Sequence, residues 1–259
     1  MSNPPPEHPA GIFDDAGWYD RTINWDARLA RELPVLRDVF GSPGPRGLLD
    51  AGCGSGRHLA AMAEAGYRVT GLDSSADMLA VARAHLSERR VDARLIESTF
   101  EAIPTDAGPF DGVYCLGNAL AATGEPGAAE ESFAAMAGRL TPGGRLFIQL
   151  LNFARLRREQ PGVRGPRVSR SDGVDYVSTR IFFFRDDLAD VANVTHYQAN
   201  GWQHFVRCGT LYAGATPDRL ARWCEACNLR VIGLFGSYNR EPFDPDRSND
   251  LILLAERSG

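Results

Sequence analysis

The stretch LLDAGCGSGRH, residues 48–58, sets Gly52, Gly54 and Gly56 at alternate positions straight after an apolar run. A glycine-rich turn between a strand and a helix presents backbone N–H groups at the helix N-terminus. The missing side chains let a ligand approach closely, so such a loop can hold a nucleotide against its backbone. The glycines run Gly-x-Gly-x-Gly, whereas the dinucleotide fingerprint is Gly-x-Gly-x-x-Gly. Asp50 precedes them, and Asp73 closes the next apolar stretch. A carboxylate at that second position can accept two hydrogen bonds from a ribose diol, in NAD sites as in others, so Asp73 alone does not choose the nucleotide. Asn118 follows the apolar segment PFDGVYCLG. It stands just past a strand's carboxyl end, where open α/β sheets bind ligands. Tyr19, His196, His204 and Tyr238 are the candidate proton acceptors. A lone histidine in a strand is more often structural than catalytic.

The elements that would position these residues follow from periodicity. Trp25, Leu29, Leu33, Leu36 and Phe40 form a helical stripe, with Pro34 expected to kink or split the helix. From residue 48 strand and helix patterns alternate: LLDA, RHLAAMAEAG, YRVTGLD, SADMLAVARAHLSERR, ARLIE, PFDGVYCLG, AAEESFAAMAGRL and RLFIQLL. Ser74 or Ser75 is available as a cap. This rhythm predicts a doubly wound α/β fold, a mostly parallel sheet with helices on both faces. VRGPRVSRSDGV, residues 163–174, reads as a loop. Three β-rich segments follow, YVSTRIFFF, ADVANVTHYQ and WQHFVRCGTLY, with turns at RDDL and ANG. They predict an antiparallel cap inserted into the fold. Alternation sends Phe182 and Phe184 one way and Phe183 the other. TPDRLARWCEACN is a helix capped by Thr216 with Pro217 at its first turn, and LRVIGLFG and NDLILLAER close the chain as strands. The expected layout is a disordered 1–11 followed by one domain over 12–259. Within it lie a helical lid (12–45), a nucleotide-binding core (46–151), the β cap (152–212), and a final helix with two strands (213–259).

Composition removes whole reaction classes. All 28 basic residues are arginine, so neither a lysine Schiff base nor a phosphate-loop lysine exists. Abundant Ala, Gly and Arg without Lys fits a GC-rich bacterial genome. A net charge of −5 argues against broad binding to nucleic acid. Five dispersed cysteines suggest no disulfide framework. Cys224 and Cys227 have metal-like spacing, but no second pair completes a zinc set, and packing within a helix accounts for them. No metal site is expected. No targeting pattern opens the chain and no apolar run approaches a membrane span, so a cytoplasmic protein is expected. Arg155, Arg157 and Arg158 read as a solvated helix face.

Residues 48–83, LLDAGCGSGRHLAAMAEAGYRVTGLDSSADMLAVAR, with FDGVYCLGN and RLTPGGRLFI further on, resemble the class I S-adenosylmethionine-dependent methyltransferases in several ordered motifs. The resemblance implies that Asp50, Gly52, Cys53, Gly54 and Gly56 surround the methionine part of that cofactor. Asp73 would hold the ribose hydroxyls, with Ser74 and Met78 beside it, and Thr99 and Phe100 would flank the adenine. Leu116, Gly117 and Asn118 would line the transferred methyl. Many relatives carry Asp where Thr99 stands, so adenine recognition here falls to backbone groups. WYDRTINWDARL, ESTFEAIP and CLGNALA are similar to the glycine and sarcosine N-methyltransferases. There the N-terminal segment closes over the cofactor, which implies that Tyr19, Trp25 and Arg28 do so here, with Arg28 on the cofactor carboxylate. Those enzymes bind glycine through an arginine after the last motif. The corresponding place holds Leu151, which argues against glycine as acceptor.

The expected function is methyl transfer from S-adenosylmethionine to N or O of a small molecule, by a monomer or a homodimer. Alignment and desolvation can supply much of the rate, because the methyl donor is already activated. Asn118, Tyr19 and His196 are the candidate catalytic residues. The rivals are a nicotinamide oxidoreductase using the same loop, a nucleic-acid or protein methyltransferase, and a non-catalytic nucleotide-binding module.

Overall fold

A computed structural model describes residues 16–42, 47–159, 161–198 and 201–259. The proline-rich 1–11, expected to be disordered, lies outside the described residues, as do Ala199 and Asn200 of the expected ANG turn.

The described residues open with two helices, α1 (Ala16–Arg21) and α2 (Trp25–Phe40). Asn24 caps α2, its side chain accepting from Ala27 N at 3.1 Å. The stripe Leu29, Leu36 and Phe40 is buried as its spacing requires. Pro34 neither splits nor ends α2. Both Pro34 and Ala30, whose carbonyl loses its helical partner, lie on the exposed face, where that carbonyl stays open to solvent.

The following segment alternates β1 (Gly47–Ala51), α3 (Arg57–Glu64), β2 (Arg68–Asp73), α4 (Ala76–Arg89), β3 (Arg94–Glu97), β4 (Phe110–Cys115), α5 (Pro126–Gly138) and β5 (Leu140–Leu151). With β10 (Leu229–Phe235) and β11 (Asp250–Arg257) these strands build a seven-stranded sheet in the order β10-β11-β5-β4-β1-β2-β3. The pairs among β1 to β5 are parallel, and β11 runs antiparallel to both β5 and β10. Alternation along β4 assigns one core to each face. Val113 and Cys115 pack with Phe133 and Met136 of α5. Tyr114 packs with Leu36 and Phe40 of α2 and with Leu59 and Met62 of α3.

After β5 and a short α6 (Phe153–Arg158) the chain builds a four-stranded antiparallel sheet: β6 (Gly162–Ser171), β7 (Val174–Arg185), β8 (Leu188–Gln198) and β9 (Trp202–Tyr212). It returns to the main sheet through α7 (Pro217–Ala226), capped by Thr216. Residues 163–174 are therefore mostly strand and not loop. Gly165 and Pro166 mask a strand pattern that an edge strand tolerates. The true turn is Asp172–Gly173, both at positive φ. Phe182 is fully buried and Phe184 packs against the core, whereas Phe183 is 57% exposed. Cys224 belongs to the main core beside Leu220 and Trp223. The α6 arginines bind neighbouring chain as well as facing solvent: Arg155 donates to Glu159, Arg247 and Asn249, and Arg157 lies 4.9 Å from the Phe184 ring. No helix among the described residues is long and apolar enough to cross a membrane.

Candidate active site

Two cavities meet at the carboxyl ends of the parallel strands. The first, of about 450 Å³, is lined by Gly52 and Gly54 of the β1–α3 loop, by Asp73 and Ser74 at the end of β2, by Met78, Thr99 and Phe100, and by Leu116, Gly117 and Tyr19. Gly52, Gly54 and Gly56 all have positive φ. A Cβ on Gly52 would stand 2.5 Å from Ala119 Cβ and 3.3 Å from the Phe100 ring, so only glycine leaves this wall of the cavity clear. Asp73 accepts from Gly54 N at 2.8 Å and from Ser75 N at 3.0 Å. Its carboxylate is thus aimed and held while lone pairs remain for a ligand. Burial raises its pKa and the backbone N–H groups pull it back. Asp50 is buried beneath the loop with Oδ2 lacking a hydrogen-bond partner. Burial pushes its carboxyl up to about 8, with the Asp73 charge adding to the shift.

The second cavity, of about 380 Å³, lies between α2, the ends of β4 and β5, and the inner face of β6, β7 and β8. It shares Tyr19 and Gly117 with the first. Its walls carry Arg28, Arg31, Arg164, Arg167 and Arg180 against only Glu32 and Asp250. Glu32 is committed to its neighbours: Arg28 Nε donates at 3.2 Å, Arg31 Nη2 at 2.6 Å, and His58 Nε2 lies at 2.9 Å. Burial alone would raise its pKa, but these partners hold it down to about 2. Burial keeps His58 below the usual histidine range. Gln149 links the seam between the cavities to Asp250. Its Oε1 accepts from Gly117 N at 2.8 Å, and its Nε2 donates to Asp250 Oδ1 at 2.9 Å. Burial raises the Asp250 carboxyl above its ordinary value. Asn193 also lines this cavity, its buried Oδ1 without a partner.

Helix α1 is fastened to the β1–α3 loop from beneath. Asp20 on α1 accepts from Ser55 Oγ at 2.8 Å and from Arg57 Nε at 3.1 Å. His85 Nδ1 lies 2.7 Å from the Ser55 carbonyl, tying α4 to the same loop.

Most residues singled out by sequence converge here. Asn118, at φ 67, lines the second cavity, and its Oδ1 accepts from Leu151 N at 2.6 Å, clamping β4 to β5. Arg28 lies over Gly117: a Cβ there would stand 2.9 Å from its Nη2. Trp25 packs from behind against Tyr19, Arg28 and His58. Gly56 lies against Ala82 of α4, and burial pushes the Cys53 thiol up. Tyr238 is buried under Arg31 and against Phe147. His196 and His204 stand opposite each other on β8 and β9, both exposed. The period of two that turns Thr195 inward turns His196 to the outer face, away from both cavities. Sequence reasoning missed Gln149, Asp250, Asn193 and the arginines of β6 and β7. Their signal was an isolated polar residue on an otherwise apolar face, as Gln149 stands between Phe147 and Leu151 and Asn193 follows Val191 at alternate positions.

Residues 48–144 match the methyltransferase-domain family. A ubiquinone biosynthesis O-methyltransferase from Alkalilimnicola ehrlichii is 36% identical over 90% of this chain and 83% of its own length. A glycine/sarcosine N-methyltransferase from Parasynechococcus marenigrum is 29% identical over 91% and 81%. An S-adenosylmethionine-dependent methyltransferase from Clostridium acetobutylicum superposes with a TM-score of 0.77 over 94% of this chain and 98% of that one, at 16% identity. An amino pentose methyltransferase from Micromonospora echinaspora superposes at 0.71 over 94% and 95%, at 22% identity. The chain belongs to the class I S-adenosylmethionine-dependent methyltransferases, and S-adenosylmethionine is its cofactor.

Proposed function

We propose that this methyltransferase acts on N or O of a small molecule held in the cavity beneath the β cap. The observation that carries the reading is the junction of the two cavities at Tyr19 and Gly117. A methyl donor seated in the first would present its methyl to a compartment of small-molecule size.

The residues present fit the cofactor. Asp73 would hold the ribose hydroxyls; Met78, Thr99 and Phe100 would enclose the adenine. The unpartnered Asp50 Oδ2 would face the amino-acid end, and Arg28 over Gly117 would receive its carboxylate. When bound, S-adenosylmethionine supplies an activated methyl on a sulfonium sulfur. The protein then has to align the acceptor, exclude water and receive a proton where the acceptor must lose one. The lid and the cap sheet enclose the acceptor, and Asn118 fixes the strand ends that shape the seam. Asp250 is the group placed to take a proton. It lines the acceptor cavity, its Oδ1 is oriented by Gln149, and its raised pKa makes it a stronger base than an ordinary carboxylate.

A direct assay follows S-adenosylhomocysteine formation with S-adenosylmethionine and a panel of amines, phenols and alcohols. The reading expects turnover with a subset of these acceptors, carrying the new methyl on N or O and lost in Asp73→Ala. Turnover confined to protein or nucleic-acid acceptors, or a methyl placed on carbon, would overturn it.

A further inference from the structure

The cap sheet carries a charge arrangement that a folded protein ordinarily avoids. Arg164 on β6 stands directly opposite Arg180 on β7, and Arg180 stands opposite Asn193 on β8. Like charges facing each other across an antiparallel pair are destabilising. Arg167 joins them through a bulge: three steps along β6, from Arg164 to Arg167, span two steps along β7, from Arg180 to Ser178. In a regular strand positions i and i+3 point to opposite faces. The one-residue excess turns Arg167 to the same face as Arg164, and both line the cavity.

None of the three guanidinium groups makes a hydrogen bond or ion pair to a described residue, and Arg164 Nη2 is fully buried without a partner. The nearby carboxylates are otherwise engaged, Glu32 with Arg28, Arg31 and His58 and Asp250 with Gln149. Burial holds all three arginines below the ordinary arginine range, and neighbouring guanidinium groups add to it: Arg155 and Arg167 act on Arg164, Arg31 and Arg28 on Arg167, and Arg167 and Arg28 on Arg180. A buried donor without a partner costs its desolvation in full, and a bound anion recovers that cost.

We propose that Arg164, Arg167 and Arg180 form an oxyanion subsite, so that the methyl acceptor carries a carboxylate or a phosphate at the end remote from the atom that is methylated. This rests on the reading of the second cavity as the acceptor compartment. The planar forks suit two-oxygen recognition of either group. Asn193 Oδ1, beside Arg180 in register, would accept from an N–H or O–H of the same molecule. The subsite takes the part that Leu151 cannot play on the main sheet and moves anion recognition to the cap.

The test is calorimetric titration of the protein saturated with S-adenosylhomocysteine, using succinate in one arm and inorganic phosphate in the other. The expected result is saturable binding with one site per chain, the tighter arm identifying the acceptor's anion. Affinity should fall about tenfold to a hundredfold in Arg180→Gln and in Arg164→Gln, the loss expected for a charge-assisted hydrogen bond. S-adenosylhomocysteine affinity should stay as in the wild type, which also reports correct folding of both variants. Arg170→Gln, an exposed position paired with Asp175 on the same strands, should leave both unchanged. No saturable binding in either arm, or binding indifferent to both cavity substitutions, would overturn the subsite while leaving the methyltransferase reading intact. Failure of S-adenosylhomocysteine itself to bind would instead remove the reading of the first cavity.

Discussion

At the scale of single residues, the loop uses its two aspartates differently. Asp73 lines the first cavity and is held by two backbone N–H groups. Asp73→Ala should weaken S-adenosylhomocysteine binding by about 1–3 kcal/mol, the cost of losing hydrogen bonds to a charged acceptor, measured by calorimetry. Asp50 carries the burden of burial. Its folded pKa of about 8 against an ordinary 3.8 means that the cofactor-free protein loses stability as pH rises through that interval. The stability it permits is fully present below the ordinary value and gone above about 8. Asp50→Asn should therefore raise Tm of the cofactor-free protein at pH 8–9, by about 2–4 °C per kcal/mol of penalty removed, with little effect at pH 4. It should also weaken cofactor binding. An unchanged Tm at high pH would show that Asp50 is not strained. Asp250→Asn should lower kcat by about 10²- to 10⁴-fold for acceptors that must shed a proton. In the wild type, kcat should fall as acid protonates Asp250, beginning at a higher pH than an ordinary carboxylate would require. The glycines, Asp50 and Asp73 were legible because glycine spacing and strand-end position are local facts. Asp250 and Gln149 were not. Asp250 lies 101 residues beyond Gln149 in the chain, and only the β5–β11 pairing brings them together.

At the scale of elements, two helices were read with their caps, α4 with Ser74 or Ser75 and α7 with Thr216, whereas the Asn24 cap of α2 was not named. Asn24, Ser75 and Thr216 each accept from a backbone N–H three residues on, a pattern visible in sequence. β6 was hidden because Gly165 and Pro166 imitate a loop, and the bulge they accompany is what gathers the cap arginines. The two N-terminal helices depend on two polar anchors. Glu32 is 1% exposed and serves two arginines and a histidine. Glu32→Ala should cost about 3–5 kcal/mol in a denaturant titration, because it strands buried charge. A loss within the range of a surface pair, under about 1 kcal/mol, would contradict that role. Asp20→Ala, by contrast, should leave the core intact and release α1 from Ser55 and Arg57. Its expected signature is a raised KM for S-adenosylmethionine with little change in denaturation midpoint.

At the scale of the whole molecule, the proposed function places the cofactor in the cavity of the main sheet and the acceptor in the cavity beneath the cap sheet, and the two cavities share Tyr19 and Gly117. The alternating rhythm of strands and helices revealed the first, since each parallel strand and its helix are contiguous in sequence. The second is assembled from α2, the ends of β4 and β5, three cap strands and the start of β11. No local pattern specifies such an assembly, so the histidines of β8 and β9 could be named as candidates although they face outward. The most direct measurement is a crystal structure with S-adenosylhomocysteine. The ribose should lie on Asp73 and the sulfur at the junction of Tyr19 and Gly117, facing the arginine-lined cavity. A sulfur directed away from that junction, or a nucleoside seated elsewhere than between Asp73 and Phe100, would contradict this placement.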